Sequence, residues 1–151
     1  MSVSAAISST NRDFELLLSG KTARRSKPLS PLDWVAVIRQ GISSGAVDVL
    51  TTRIRISQAE LAAALAIPER TLARRKKEGT MNSEESSKLV RLVRVVERTA
   101  EIFEDSDAGI DWLKSANAAL GGATPLSLMD TDIGAENVMD TLGRIEHGVF
   151  A

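Results

Sequence analysis

From Trp34 onward, apolar residues recur at intervals of three and four, the spacing of helices that bury one face. Ser30-Pro31-Leu32-Asp33 reads as a helix start: a serine cap, proline at the first helical position and an acid in the first turn. Trp34, Val37 and Ile38 then share a face, and Gly41 and Gly45 are expected to end that helix. A second short helix around Ala46–Thr52 turns Val47 and Leu50 inward. The clearest local signal is Ile56-Ser57-Gln58-Ala59-Glu60-Leu61, in which Ser57 and Glu60 can form a reciprocal capping box, with Ile56 and Leu61 as its hydrophobic staple. That helix runs to about Leu65. Ala66-Ile67-Pro68 leads into a helix over Glu69–Lys77 that stops at Glu78-Gly79. Two short helices with a three-residue turn make a helix-turn-helix.

A longer amphipathic helix follows, from Asn82 or Ser83 to about Phe103. Leu89, Leu92, Val93, Val96, Ala100 and Phe103 form its apolar stripe, and Arg91, Arg94, Arg98 and Glu101 lie opposite. Three shorter helices are expected beyond it. The first spans about Ala108–Ala116, the second is capped by Thr124-Pro125 and runs through Met129, and the third starts at Thr131 or Asp132. The last carries Ile133, Val138, Leu142 and Ile145 inward, stops at Gly148 in the left-handed region, and leaves Val149-Phe150-Ala151 as a tail. At the other end, residues 1–27 hold one apolar run, Leu16–Leu18, and the cations Lys21, Arg24, Arg25 and Lys27. They read as a mobile arm, able to touch DNA phosphates or simply disordered. The expected fold is all-α: residues 28–104 as a helix-turn-helix domain with a long linking helix, and 105–151 as a small C-terminal helical domain.

Composition narrows this picture. Only 3% of residues are aromatic, so the core must be built from Leu, Val, Ile and Ala. Cysteine is absent, which removes disulfides and thiolate metal sites. The apolar runs are too short for a signal peptide or a membrane span, making the cytoplasm the expected location. The net charge of −1 hides an asymmetry: residues 1–104 carry 17 Lys/Arg against 12 Asp/Glu, whereas residues 105–151 carry 2 against 8. A basic part joined to an acidic part suits two partners of different charge, or merely two differently solvated surfaces.

Catalytic chemistry finds little support. His147 is the only histidine, so one chain cannot assemble a histidine metal cluster. No Gly-x-Ser-x-Gly elbow accompanies it, and Gly121-Gly122 lacks a following Gly-Lys-Ser. No enzyme activity, metal or cofactor is expected. The helix over Glu69–Lys77 is more informative, because it packs Arg70, Arg74, Arg75, Lys76 and Lys77 into nine positions. A helix of this kind fits the DNA major groove, where arginine can donate two hydrogen bonds to guanine and lysine can meet phosphate. Thr71, near its start, can reach a base edge or a phosphate. A solvated basic face would have the same composition. The closing stretch from Leu142 to Ala151 contains Gly143 and Gly148 and ends on the apolar pair Val149-Phe150. Glycine inside a helix costs about 1 kcal/mol relative to alanine. Either close contact with a partner or tight packing within the domain can explain that cost.

Gly-Gly-x-Thr-Pro-Leu at 121–126 and the closing Leu-Gly-Arg-Ile-Glu-His-Gly-Val-Phe resemble the toxin-binding domain of the Xre/MbcA/ParS antitoxins. Ile67-Pro68-x-Arg70-Thr71-Leu72-x-Arg74-Arg75 is similar to the Xre-like helix-turn-helix of the same family, with Pro68 where a capping serine is frequent. The resemblance runs from about Trp34 to the end. It implies a RES-domain toxin that degrades NAD⁺ as protein partner, bound through the C-terminal domain with the chain end at the toxin's active-site entrance. Gly121, Gly122, Pro125, Leu126, Arg144, Glu146, His147, Gly148, Val149, Phe150 and Ala151 are the implied toxin-binding residues. It further implies a homodimer that represses its own operon by binding operator DNA. The rival reading is a free-standing helix-turn-helix repressor whose C-terminal domain dimerises or senses a ligand.

Overall fold

Three reciprocal capping boxes fix where helices begin. Ser30 with Asp33, Ser57 with Glu60 and Asn82 with Glu85 each exchange side-chain-to-backbone hydrogen bonds of 2.8–3.2 Å. Each pair satisfies amides that the first helical turn leaves without partners. The computed structural model describes residues 30–148, and within them the chain is all-α. Its helices are α1 (Pro31–Gln40), α2 (Gly45–Ile54), α3 (Gln58–Leu65), α4 (Glu69–Glu78), α5 (Ser83–Phe103), α6 (Ser106–Lys114) and α7 (Asp132–Glu146). Two 3-10 turns, Ala118–Leu120 and Leu126–Leu128, lie between α6 and α7. The expected arm over residues 1–27 and the tail Val149-Phe150-Ala151 lie outside the described residues.

Helices α3 and α4 form the helix-turn-helix. Ala66 takes the left-handed conformation at the end of α3 (φ 52°), and Ile67 is buried beneath the turn. The segment between α1 and α2 is clipped to the one between α4 and α5 by an isolated antiparallel bridge, Ser43 with Thr80. Ser44 N–H donates to Gly79 O (3.0 Å), Met81 N–H to Ile42 O (2.9 Å), and Ile42 N–H to the buried Ser86 hydroxyl (2.9 Å). This clip requires Gly41, which has φ +95° and where a Cβ would stand 2.6 Å from Met81 O.

At about 1.5 Å per residue, the 21-residue α5 is the longest element, and it packs on α1, α3, α6 and α7. Leu89, Val90, Leu92, Val93, Val95 and Val96 are all buried. One apolar cluster runs without a break from Ile42 and Leu50 through α5 to Leu113, Val138 and Leu142.

Several expectations change. Gly45 opens α2 instead of closing α1, and the helix expected over Ala108–Ala116 starts earlier, at Ser106. Ala100 and Phe103 are half-buried, with Phe103 packed against the core cluster and against Trp112 of α6. The side of α5 opposite its predicted stripe is partly covered by α7, while Arg94 and Glu101 stay exposed. Arg91 Nη2 donates to Met129 O (2.9 Å) and Arg91 pairs with Asp132, while Arg98 pairs with Glu101 and Glu146. Ile133 is 73% exposed, not inward, because α7 buries the face of Ala135, Val138 and Leu142.

Backbone proximity makes Gly134 obligatory, since a Cβ there would fall 1.9 Å from Leu128 O. Gly134→Ala is therefore expected to push α7 off the 3-10 turn and lower the melting temperature. Leu61→Ala, at a fully buried position, is expected to cost about 2–4 kcal/mol, and Val93→Ala to destabilise as well. Thermal denaturation followed by circular dichroism measures all three. An unchanged melting temperature for Gly134→Ala would show that the turn yields freely.

Candidate functional site

Helix α4 is held to the bundle by Leu72, which is fully buried, and by Ile67 beneath its start. Pro68 precedes it with extended backbone (ψ 136°), and no side chain caps its first turn. The amides at that end keep their partial positive charge available to an anion. Gly79 ends the helix in the left-handed region at φ +93°.

The basic residues of α4 divide into two sets. Arg75 Nε donates to Glu85 Oε1 (2.8 Å) and Arg75 Nη1 to Glu78 Oε2 (2.9 Å), with 20% of its side chain exposed. These two carboxylates, Glu85 foremost, push the pKa of the Arg75 guanidinium above its ordinary value. Lys76 Nζ sits 2.8 Å from Asp48 Oδ1 and 3.0 Å from Gln58 Oε1, tying α4 to α2 and α3. Both side chains thus have acceptors within the chain. Arg70, Arg74 and Lys77 are exposed, and Thr71 is half-buried beside them. Arg74 makes only a 3.5 Å contact with the exposed Glu78. Arg70, Arg74 and Lys77 recur at intervals of four and three and so share one side of the helix, but the sequence alone does not reveal where the acceptors of Arg75 and Lys76 lie.

The C-terminal candidates also separate by role. Gly121 (φ 68°) and Gly122 (φ 87°) make an exposed left-handed turn closed by Gly122 N–H to Asn117 O at 2.9 Å. Pro125 and Leu126 are buried, seating the second 3-10 turn on the core. Arg144, His147 and Gly148 are exposed at the end of α7, and Glu146 is exposed but paired with Arg98. Gly148 has φ +69°, consistent with its expected role of stopping the helix. Val149, Phe150 and Ala151 lie outside the described residues.

The structure adds residues that sequence reasoning missed. Beside α7 lies a cleft of about 280 Å³ lined by Leu120, Leu128, Asn137, Asp140, Thr141 and Arg144. Ile133, Asn137, Asp140, Arg144 and His147 follow at helical spacing along one exposed face. That period was legible in the sequence, but placing Ile133 inward concealed it.

The Xre-like antitoxin helix-turn-helix family model matches residues 33–94, from α1 into α5. The model of the antitoxin Xre/MbcA/ParS C-terminal toxin-binding domain matches residues 98–148. The chain is 37% identical to the protein named Antitoxin Xre of Yersinia enterocolitica over 116 residues, which is 76% of this chain and 78% of that one. The chain belongs to the Xre antitoxin family. The Photorhabdus laumondii Antitoxin Xre is 32% identical over 77% of this antitoxin and 80% of its own length. A Sphingobium protein named Prs ADP-ribosylating antitoxin is 26% identical over 81% of this chain and 83% of that one. This chain therefore combines a helix-turn-helix with a toxin-binding domain as the antitoxin of a toxin–antitoxin system. The two family matches meet within α5, a helix common to both units.

Arg75→Ala and Glu85→Ala are expected to lower the melting temperature, because each strips the other of its ion-pair partner. Arg70→Ala and Lys77→Ala, at exposed positions, should leave it within about 1 °C, as surface changes usually do. Comparing the four melting curves checks the division. Equal melting temperatures throughout would remove Arg75 from the structural set.

Proposed function

We propose that this antitoxin neutralises a RES-domain, NAD⁺-degrading toxin by binding at its active site, and represses its own operon through α3 and α4. The observation that carries the reading is the joining of an Xre-like helix-turn-helix and a toxin-binding domain through the one helix α5. The name of the Sphingobium relative supports the chemistry. ADP-ribosylation draws its ADP-ribose from NAD⁺, so a toxin of that kind and an NAD⁺-degrading one share a substrate. The antitoxin itself acts by binding, as a homodimer in the cytoplasm.

On operator DNA, α4 enters the major groove with Arg70, Thr71, Arg74 and Lys77 outward. Arg75 and Lys76 hold the helix at its angle. Replacing Arg70, Arg74 and Lys77 together with alanine is expected to weaken operator binding by two or more orders of magnitude. Each lost phosphate contact should also flatten the dependence of log K on log salt by about 0.9. Toxin neutralisation should survive. Titrations of labelled operator at several salt concentrations measure both effects, and wild-type affinity across salt would exclude α4 as the reader.

On the toxin, the exposed turn at Gly121-Gly122 and the end of α7 form the contact, and Val149-Phe150-Ala151 enters the active-site mouth. Burying Phe150 there contributes about 1.5–3 kcal/mol and excludes the dinucleotide sterically. Deleting these three residues is expected to abolish protection in an NAD⁺-depletion assay with purified toxin, while the circular dichroism spectrum and operator binding stay as in the full chain. Equal protection by the folded truncated protein would move the inhibitory contact to α7 and the 121–129 segment.

A further inference from the structure

Among the described residues, nothing requires glycine at position 143. It lies inside α7, its φ is not in the left-handed region, and a Cβ built on it would meet nothing within 4 Å. Two other glycines behave differently. A Cβ at Gly134 would collide with Leu128 O at 1.9 Å, and one at Gly109 would press on Thr99 Cγ2 at 3.2 Å. Glycine is the poorest helix former after proline, because it has the most backbone freedom to lose. Alanine at 143 would therefore favour the free protein, and what requires glycine there lies outside the described chain.

The surroundings of Gly143 are those of a contact face. Ile133, a large aliphatic side chain in water, starts the exposed row on α7, and Asn137, Asp140, Arg144 and His147 continue it. Among the described residues, neither Asp140 nor Arg144 has an ion-pair partner, and both line the cleft of about 280 Å³ beside the helix. The same stretch lies inside the matched toxin-binding domain, residues 98–148. An acceptor and a donor one turn apart, flanking the half-buried Gly143 with no Cβ between them, suit a polypeptide main chain. Such a chain offers amides to the carboxylate and carbonyls to the guanidinium.

We infer that a main-chain segment of the toxin crosses α7 at Gly143, closer than any side chain there would permit, with Asp140 and Arg144 hydrogen-bonding to it. The inference rests on the proposed function for the nature of the partner and adds the point of closest approach. It also assigns the closing Leu-Gly-Arg pattern a role that neither the helix nor the core requires.

The test uses the full chain with the purified RES-domain toxin, comparing wild type, Gly143→Ala and Gly143→Leu. Toxin affinity is measured by calorimetry, melting temperature by circular dichroism, and operator binding serves as a fold control. Gly143→Ala should melt about 3 °C above wild type, bind operator unchanged and lose at least tenfold in toxin affinity, with a larger loss for leucine. Toxin affinity within twofold of wild type for both variants would overturn the inference. A melting temperature below wild type for Gly143→Ala would also overturn it, by showing an intramolecular need for glycine. If the wild-type protein does not hold this toxin, the functional reading fails instead, a result separable from the other two.

Discussion

The Glu85 carboxylate joins the two halves of the DNA-binding unit, and much of the architecture depends on it. Its Oε1 accepts from the Asn82 amide at 2.9 Å, completing the cap of α5, and from Arg75 Nε at 2.8 Å, anchoring the last turn of α4. A buried carboxylate is costly unless its lone pairs are filled and its charge is opposed. Here the cap supplies the hydrogen bond and Arg75 the opposing charge. The start of the central helix and the anchoring of α4 consequently share one group. The bridge between Ser43 and Thr80 and the Ser86 hydroxyl lie close by, binding the α1–α2 segment to the same junction.

From that junction α5 extends into the toxin-binding unit. Its buried valines and leucines serve both sides, and its arginines do the same work in polar form. Arg91 ties it to the start of α7 and to Met129 O, and Arg98 to Glu146 near the end of α7. On the far side, Lys114 donates to Arg55 O at 2.8 Å and Arg55 pairs with Asp107, so α6 grips the left-handed end of α2. The helix-turn-helix and the C-terminal unit thus share one continuous core, with α3 also packing on the 3-10 turn at Leu126–Leu128. A lesion in that core therefore disturbs both units, whereas a change on the exposed side of α4 or α7 leaves it intact.

The cations divide between internal pairing and outward display. Arg75, Lys76, Arg91 and Arg98 have carboxylate partners in the chain and position helices, while Arg70, Lys77 and Arg144 face outward. Arg75 cannot reach DNA without leaving the buried Glu85 carboxylate unpaired in a low-dielectric surrounding. An outward guanidinium loses only hydration and counterions, which is the usual source of electrostatic affinity for nucleic acid. Glycines divide in a similar way. Gly41 and Gly134 are demanded by neighbouring backbone, and Gly143 is not.

The sequence by itself determined the helical class, the helix-turn-helix with its capping box at Ser57, the long α5, the stop at Gly148 and the family. These are local properties: a cap, a turn or a 3.6-residue period involves residues within a few positions of one another. Tertiary structure decided which side of α5 is covered, that Ile133 faces water, and which cations on α4 remain outward. Arg75 and Arg74 are adjacent in the chain, and their difference comes from Glu85, which a separate helix brings beneath one of them. The second stripe on α5 escaped reading for the same reason. A helix buried between two layers needs two apolar faces, and arginine can line the second only when partners such as Asp132 and Glu146 approach from 40 or more positions away. Periodicity records what each helix does with its own residues. Partnership between distant segments depends on packing, which no local window of sequence contains.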